Sequence, residues 1–140
     1  MRNLTLLIIC MMFLTNIIGQ TKTKEGYEQQ AYYKKGGIEG FQKYISSNFK
    51  LPESKKLVDA DGKMVIVFVV DSTGGNYIEN VYNTLNFRGK TGEYLKNSFV
   101  ADCELEIRRI FTNMPKWIPG TQNGVPVKAR FTFPLNIRTK

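Results

Sequence analysis

Histidine does not occur in this chain, and its absence removes several common kinds of active site. Histidine is the usual general base near neutral pH, a frequent metal ligand, and the base that activates serine or cysteine nucleophiles. The neighbouring acids Glu104 and Glu106 are two residues apart in a predicted helix and therefore do not face each other. Asp59 and Asp61 lie in a predicted turn, where aspartate is common. These acids predict neither acid–base catalysis nor a metal site.

Two further chemical candidates, a cysteine and a glycine-rich turn, have simpler structural interpretations. Cys103 falls on the apolar stripe of a predicted helix, which favours a small buried core residue over a nucleophile. Ser72–Gly75 has the small residues of a phosphate-binding loop, but it lacks the lysine and the helix that such a loop needs. A turn between two strands explains the segment instead. We therefore expect no enzymatic activity and no cofactor.

Length and charge limit the class of protein and of partner. A chain of 140 residues with 42% hydrophobic residues is long enough for one domain with an apolar core. The formal net charge is +8, but the basic residues are scattered among acids and predict a solvated surface. We expect no nucleic-acid partner, because no recognisable binding module is present. An anionic membrane or cell-wall surface stays open as a partner.

Residues 1–20 have the pattern of a secretory signal peptide. Arg2 precedes an apolar run from Leu4 to Ile18, which is shorter than the roughly 20 apolar residues of a membrane helix. We expect cleavage after Gly19 or Gln20, and a retained short anchor is the alternative.

The positioning elements begin after a polar segment. Residues 21–35 have no apolar period and predict a flexible lead-in. A short amphipathic helix follows, and Pro52 ends it. Its stripe consists of Ile38, Phe41, Ile45 and Phe49. A connector, Leu57–Lys63, carries a predicted turn at Asp61-Gly62.

The middle of the chain predicts two strands and a second helix. The continuous apolar run Met64–Val70 indicates a buried central strand. After the turn, Tyr77–Leu85 is more polar and predicts an outer strand. Residues Asn86–Asn97 predict a mobile loop, and an apolar stripe predicts a helix from about Ser98 to Asn113.

The stretch Met114–Gly124 predicts a corner with two turns. Proline cannot continue a helix, and Pro-Gly and Asn-Gly are turn dipeptides. Trp117 lies between two prolines and is expected to cover the core while its indole N–H reaches a polar group. The corner residues are Pro115, Trp117, Pro119, Gly120, Asn123 and Gly124.

Residues 125–137 alternate between apolar and polar side chains, which predicts one half-buried strand with a cationic outer face. Pro126 and Pro134 favour a sheet edge, where another chain can pair. The candidate partner-binding residues are Val125, Val127, Lys128, Ala129, Arg130, Phe131, Thr132 and Phe133.

The element order is helix, strand, strand, helix, strand. It predicts an α+β domain over residues 36–140, with two helices on one face of a three-stranded antiparallel sheet. In this arrangement Met64–Val70 pairs with Tyr77–Leu85 on one side and with the last strand on the other, whose outer edge stays free.

Three motifs over Gly36–Ile137 resemble the C-terminal domain of TonB energy transducers. The opening motif is Gly36-Gly37, Phe41, Tyr44-Ile45 and Pro52. The first hairpin is similar in Gly62-Lys63, the following strand, Asp71 and its glycine turn. The closing signature is Arg109, Met114-Pro115, Trp117, Pro119-Gly120, Asn123-Gly124, Pro126-Val127 and the phenylalanine-rich last strand.

The resemblance implies a periplasmic module for energy-dependent transmembrane transport. Family members pair the edge of the last strand with a peptide segment of TonB-dependent outer-membrane receptors. Lys128 and Arg130 would favour an acidic segment. The family's motor-coupling histidine does not occur here. Two alternatives are a module that dimerises through the same edge and a short transducer anchored in the inner membrane.

Overall fold

The computed structural model describes residues 29–140, so the predicted signal peptide and most of the predicted lead-in lie outside the described residues. Its elements, in chain order, are β1 (Tyr32–Tyr33), α1 (Gly37–Asn48), a 3-10 helix (Glu53–Leu57), β2 (Asp59–Val70), β3 (Asn76–Asn83), β4 (Asn86–Arg88), α2 (Glu93–Thr112), β5 (Trp117–Ile118), β6 (Gly120–Gln122), β7 (Val125–Val127) and β8 (Ala129–Arg138). None of the helices in residues 29–140 is long and apolar enough to cross a membrane.

The long strand β2 is the centre of the main sheet. One of its edges pairs with β8 from Asp61 to Val70, antiparallel. Along the other edge, β4 pairs with Asp59–Asp61 and β3 pairs with Met64–Val70. The α+β class with two helices and antiparallel sheets is confirmed for residues 29–140. The predicted three-stranded arrangement is not confirmed, because β4 joins the sheet and β1–β5 and β6–β7 form two smaller ladders.

The predicted turn at Asp61-Gly62 is wrong, because β2 runs straight through these residues. Gly62 has a φ of 142°, a backbone angle that residues with a side chain rarely adopt. A Cβ atom at this position would lie 2.5 Å from the carbonyl oxygen of Thr84. The glycine therefore lets the chain between β3 and β4 pass close to β2 without ending the strand.

The core lies between the two helices and one face of β2. The Phe68 ring lies 5.4 Å from the ring of Phe41 in α1 and 5.1 Å from that of Phe111 in α2. The buried residues of β2 that share this core are Ala60, Met64, Ile66, Phe68 and Val70. Those of α2 are Phe99, Cys103, Ile107, Ile110 and Phe111. This agrees with the apolar stripe predicted for α2 and with Cys103 as a core residue.

Two local predictions differ from the structure. The predicted loop Asn86–Asn97 contains β4 and the start of α2, because Phe87 pairs with Ala60 and packs on Phe99. In α1, Phe41 and Ile45 are buried as predicted, but Ile38 is 60% exposed.

Part of the predicted lead-in packs on the domain. Tyr32 and Tyr33 pair with Ile118 and Trp117, which forms the β1–β5 ladder. Tyr33 is only 2% exposed, and its burial raises the pKa of the phenol. The burial of the Tyr33 ring does not follow from the polar composition of this segment, because that composition does not show which ring packs on the core.

Candidate functional site

The corner before the last strand is held by Trp117. This side chain is 3% exposed, and its ring lies between 5.2 and 5.6 Å from the rings of Tyr33, Phe41, Phe68 and Phe131. Its indole N–H donates to the Met114 sulfur at 3.2 Å. The predicted lid on the core is therefore confirmed, with a thioether as the weak polar acceptor. Through these rings the corner joins β1, α1, β2 and β8.

The turns of the corner hold their predicted positions. Pro115 follows the end of α2, and Pro119 separates β5 from β6. Asn123 and Gly124 have φ angles of 51° and 73°, which suits the two-residue turn that joins β6 to β7. Gly120 leaves room for the segment before β1, since a Cβ atom there would lie 3.1 Å from the Gln29 carbonyl oxygen.

The corner also contacts the turn between β2 and β3. The backbone N–H of Trp117 donates to the Gly74 carbonyl at 2.9 Å. Gly74 has a φ of 81°, and a Cβ atom at this position would lie only 2.2 Å from the Trp117 carbonyl oxygen. Glycine is therefore needed where the turn meets the corner. Asp71 closes this turn by accepting hydrogen bonds from Thr73 and Gly75, which lower the pKa of its carboxyl. The segment is thus a turn between strands, as predicted.

The predicted strand from Val125 to Ile137 is two strands. Val125–Val127 folds back on Gly120–Gln122 in a hairpin, and the chain resumes as β8 at Ala129. Lys128 lies exposed between them. The tight Asn-Gly turn causes this division, because it pairs β7 with the strand just before it. Val125 and Val127 therefore belong to a different ladder from the main sheet.

Along β8 the predicted alternation holds. Phe131, Phe133 and Leu135 pack partly buried on the core, and Ile137 is buried. The intervening residues are exposed and lie on the other face of the sheet: Arg130, Thr132, Pro134, Asn136 and Arg138.

The backbone of β8 also alternates between its two edges. The Thr139 N–H donates to the Ala60 carbonyl at 3.0 Å, and the Thr84 N–H donates to the Lys63 carbonyl at 2.9 Å. The backbone N–H and C=O groups of even-numbered β2 residues therefore point toward β8, and those of odd-numbered β2 residues point toward β3. With the observed register, the residues of β8 that turn their backbone groups outward are Arg130, Thr132, Pro134, Asn136 and Arg138.

Within residues 29–140, no strand pairs with the outer edge of β8. Gln30 and Ala31 lie across a small cavity from Ala129–Phe131 and flank the start of this edge. The accessible part therefore runs from about Thr132 to Arg138. Pro134 is its one interruption, because proline offers a carbonyl but no N–H.

A groove borders this accessible edge. It has a volume of about 710 Å³ and lies between α1 and β8. The helix contributes Ile38, Glu39, Gln42, Lys43 and Ser46. The strand contributes Thr132, Phe133, Pro134, Leu135 and Asn136. The edge thus offers backbone hydrogen bonds and side-chain space at the same place.

The opposite face of the sheet carries a cationic row along β8. Arg130 donates to Glu79 of β3 at 2.6 Å, which bridges over β2. On β2, Val67 and Val69 are buried but lie outside the main core. Within residues 29–140, Lys128 and Arg138 form no ion pair.

The remaining chemical candidates belong to the scaffold. Burial raises the pKa of the Cys103 thiol to about 12, so the thiol stays protonated and unreactive. No group of three or more histidine, cysteine, aspartate or glutamate side chains within residues 29–140 could hold a metal ion.

Comparison of the chain with protein-family models, with curated proteins and with solved structures finds no match. Of the candidate strand residues, Thr132 turns its backbone groups outward on the accessible edge, Phe133 lines the adjoining groove, and Ala129–Phe131 lie at the flanked start of the edge. The candidate partner-binding residues do not include Pro134, Asn136 and Arg138, although the predicted alternation runs through the first two. They also leave out the groove wall on α1, for which the sequence gives no signal.

Proposed function

We propose that this protein is a TonB-like binding module of the bacterial periplasm, associated with energy-dependent transmembrane transport. It would pair the outer edge of β8 with an extended peptide segment of a TonB-dependent outer-membrane receptor. The observation that carries the proposal is the row of outward backbone groups from Thr132 to Arg138, which no described strand occupies. The motif resemblance over Gly36–Ile137 supports the choice of partner.

Strand addition is the physical basis of this function. Main-chain hydrogen bonds supply affinity, and the side chains that flank the edge supply selectivity. An added strand would bond to Thr132 and Asn136, on either side of Pro134. Because Pro134 lacks an N–H, the pairing would contain one missing hydrogen bond at its centre.

The test is a titration of synthetic receptor plug-segment peptides into the isotopically labelled protein. We expect amide shifts concentrated on β8 and saturable binding by calorimetry. The Thr132→Pro variant removes one outward N–H and should weaken binding at least about tenfold, which corresponds to about 1.4 kcal/mol.

Thr132→Ala is the matched control, because it keeps the N–H and removes only the exposed side chain. Its affinity should stay close to that of the unmodified protein. Shifts that avoid β8 at every attainable peptide concentration would refute the proposed site.

A second candidate is dimerisation, which the same unoccupied edge favours. Two-fold symmetry repeats each defect, so Pro134 would remove two hydrogen bonds from a β8–β8 dimer and one from a peptide complex. Sedimentation over a range of protein concentrations separates the two candidates. A stable dimer that protects the β8 amides would favour assembly over receptor binding.

Retention of residues 1–20 would instead give a short anchored transducer. The intact mass of protein isolated from the cell envelope distinguishes the two forms. A mass without these residues supports the periplasmic module, and the full mass supports the anchored form.

A further inference from the structure

The groove between α1 and β8 determines where the side chains of an added strand would go. Such a strand would lie about 4.8 Å from β8, and its side chains would alternate between the two faces of the sheet. One set would enter the groove, on the side of Phe133 and Leu135. The other set would lie on the face that carries Arg130 and Thr132.

The groove offers apolar surface to the first set. Ile38 lines it and is 60% exposed, although its spacing from Phe41 and Ile45 is that of a core residue. Phe133 and Leu135 are only partly buried on the opposite wall. An apolar side chain placed between these walls would remove exposed apolar surface from water, which is favourable.

The other face offers positive charge to the second set. Arg130 and Arg138 of β8 lie on this face. Arg130 pairs with Glu79, whereas Arg138 forms no ion pair with another of the described residues. Carboxylates on the added strand would meet these cations at the rim of the site, where charge mainly favours association and register.

We propose that α1 is the second wall of the peptide site and that the site selects an extended segment of alternating apolar and acidic residues. The apolar side chains contact Ile38 in the groove, and the acidic ones lie on the opposite face of the sheet, where Arg138 is beside the accessible edge and Arg130 lies just before its start. The inference rests on the proposed strand addition and specifies the sequence pattern of its partner.

The probe is a blocked octapeptide of four Val-Glu repeats, compared with an isomer of two Val-Val-Glu-Glu repeats. Both have the same composition and charge, but only the first can place valine and glutamate on separate faces. We expect the alternating peptide to bind at least about fivefold more tightly, with amide shifts on β8 and α1. Higher salt should weaken its binding.

The Ile38→Ala variant tests the wall itself. It should weaken the alternating peptide about fivefold, because it removes part of the apolar contact. Leu105→Ala is the matched control, since Leu105 is 66% exposed on α2 and lines a different cleft. Its affinity should be unchanged, and circular dichroism checks that both variants fold.

The outcomes separate this inference from the proposed function. If both peptides shift the β8 amides with equal affinity, or if Ile38→Ala binds like the unmodified protein, the selective wall is overturned and strand addition stands. If neither these peptides nor receptor plug segments move the β8 amides, the proposed function fails and the inference fails with it.

Discussion

The two outer edges of the main sheet differ in how their backbone groups are occupied. On the β3 edge, a bulge opposite Val67 and Phe68 breaks the register, and the Asn80 side chain accepts a hydrogen bond from the Val81 N–H at 2.8 Å. On the β8 edge, the register is regular from Ala129 to Arg138. Bulges and local side-chain bonds are ways in which proteins protect an edge from pairing. The β3 edge has such protection and the β8 edge has only Pro134, so β8 is the edge suited to a partner.

The largest expected effect concerns how firmly each edge is attached to the core. Trp117→Ala should lower the free energy of unfolding by about 3–5 kcal/mol, because the indole packs among rings from four elements, including β8. Tyr82→Ala on β3 is the control; this tyrosine is 50% exposed and its loss should cost less than about 1 kcal/mol. Urea unfolding of the two variants measures the difference. Equal losses would contradict the central role of Trp117.

The second effect concerns α1, the helix that lines the groove beside the β8 edge. Arg109 donates to Glu106 at 2.7 Å and to the Asn48 carbonyl at 2.9 Å, which ties the end of α1 to α2. Glu106 also accepts from the Lys50 N–H at 3.0 Å. Glu106→Gln should lower stability at pH 7 by about 1 kcal/mol.

The pH dependence of that loss follows from the pKa of Glu106. The hydrogen bond from Arg109 lowers this pKa below the ordinary value of 4.5. The carboxylate therefore contributes stability above the ordinary value, and the contribution disappears as the pH falls through the folded-state pKa. Denaturant unfolding of both proteins between pH 7 and pH 3 should show the difference shrinking on acidification. A difference independent of pH would exclude the charged carboxylate as its source.

A smaller effect is expected from removing the side-chain hydrogen bond that protects the β3 edge. Asn80→Ala removes the acceptor of the Val81 N–H. We expect a loss of about 0.5–1 kcal/mol and faster hydrogen exchange at Val81, because that amide would face water. Asn97→Ala on α2 is a control for loss of an exposed asparagine. Unchanged exchange at Val81 would show that the side-chain bond does not protect this edge.

The smallest effect on stability is expected at the ion pair between Glu79 of β3 and Arg130 of β8. Glu79→Gln releases Arg130 from its exposed partner and should change stability by less than about 0.5 kcal/mol. Binding of an acidic peptide to the β8 edge should nevertheless strengthen at low salt, because Arg130 no longer has a competing carboxylate. Glu93→Gln on α2 is the control, because Glu93 pairs with Lys96 within the same helix and neither residue belongs to the β8 edge. Equal changes for both variants would indicate a general charge effect.

Periodicity was sufficient for the parts of the fold in which one face is buried. The apolar stripe of α2 and the alternation of β8 follow from spacing, and the central position of β2 follows from its continuous apolar run. It failed where backbone geometry decides the structure: Gly62 lets β2 continue through an apparent turn, and the Asn123-Gly124 turn pairs β7 with β6. The exposure of Ile38 depends on where α1 meets β8, and a single helical stripe does not contain that information.

The central claim, that the outer edge of β8 receives a partner strand, is tested most directly by amide hydrogen exchange. In the free protein, the amides of Phe131, Phe133 and Leu135 should exchange slowly because they face β2, while those of Thr132 and Asn136 should exchange quickly. Saturation with a receptor plug-segment peptide should slow Thr132 and Asn136 and erase the alternation. If these two amides still exchange quickly in the saturated complex, the peptide binds elsewhere and the account is wrong.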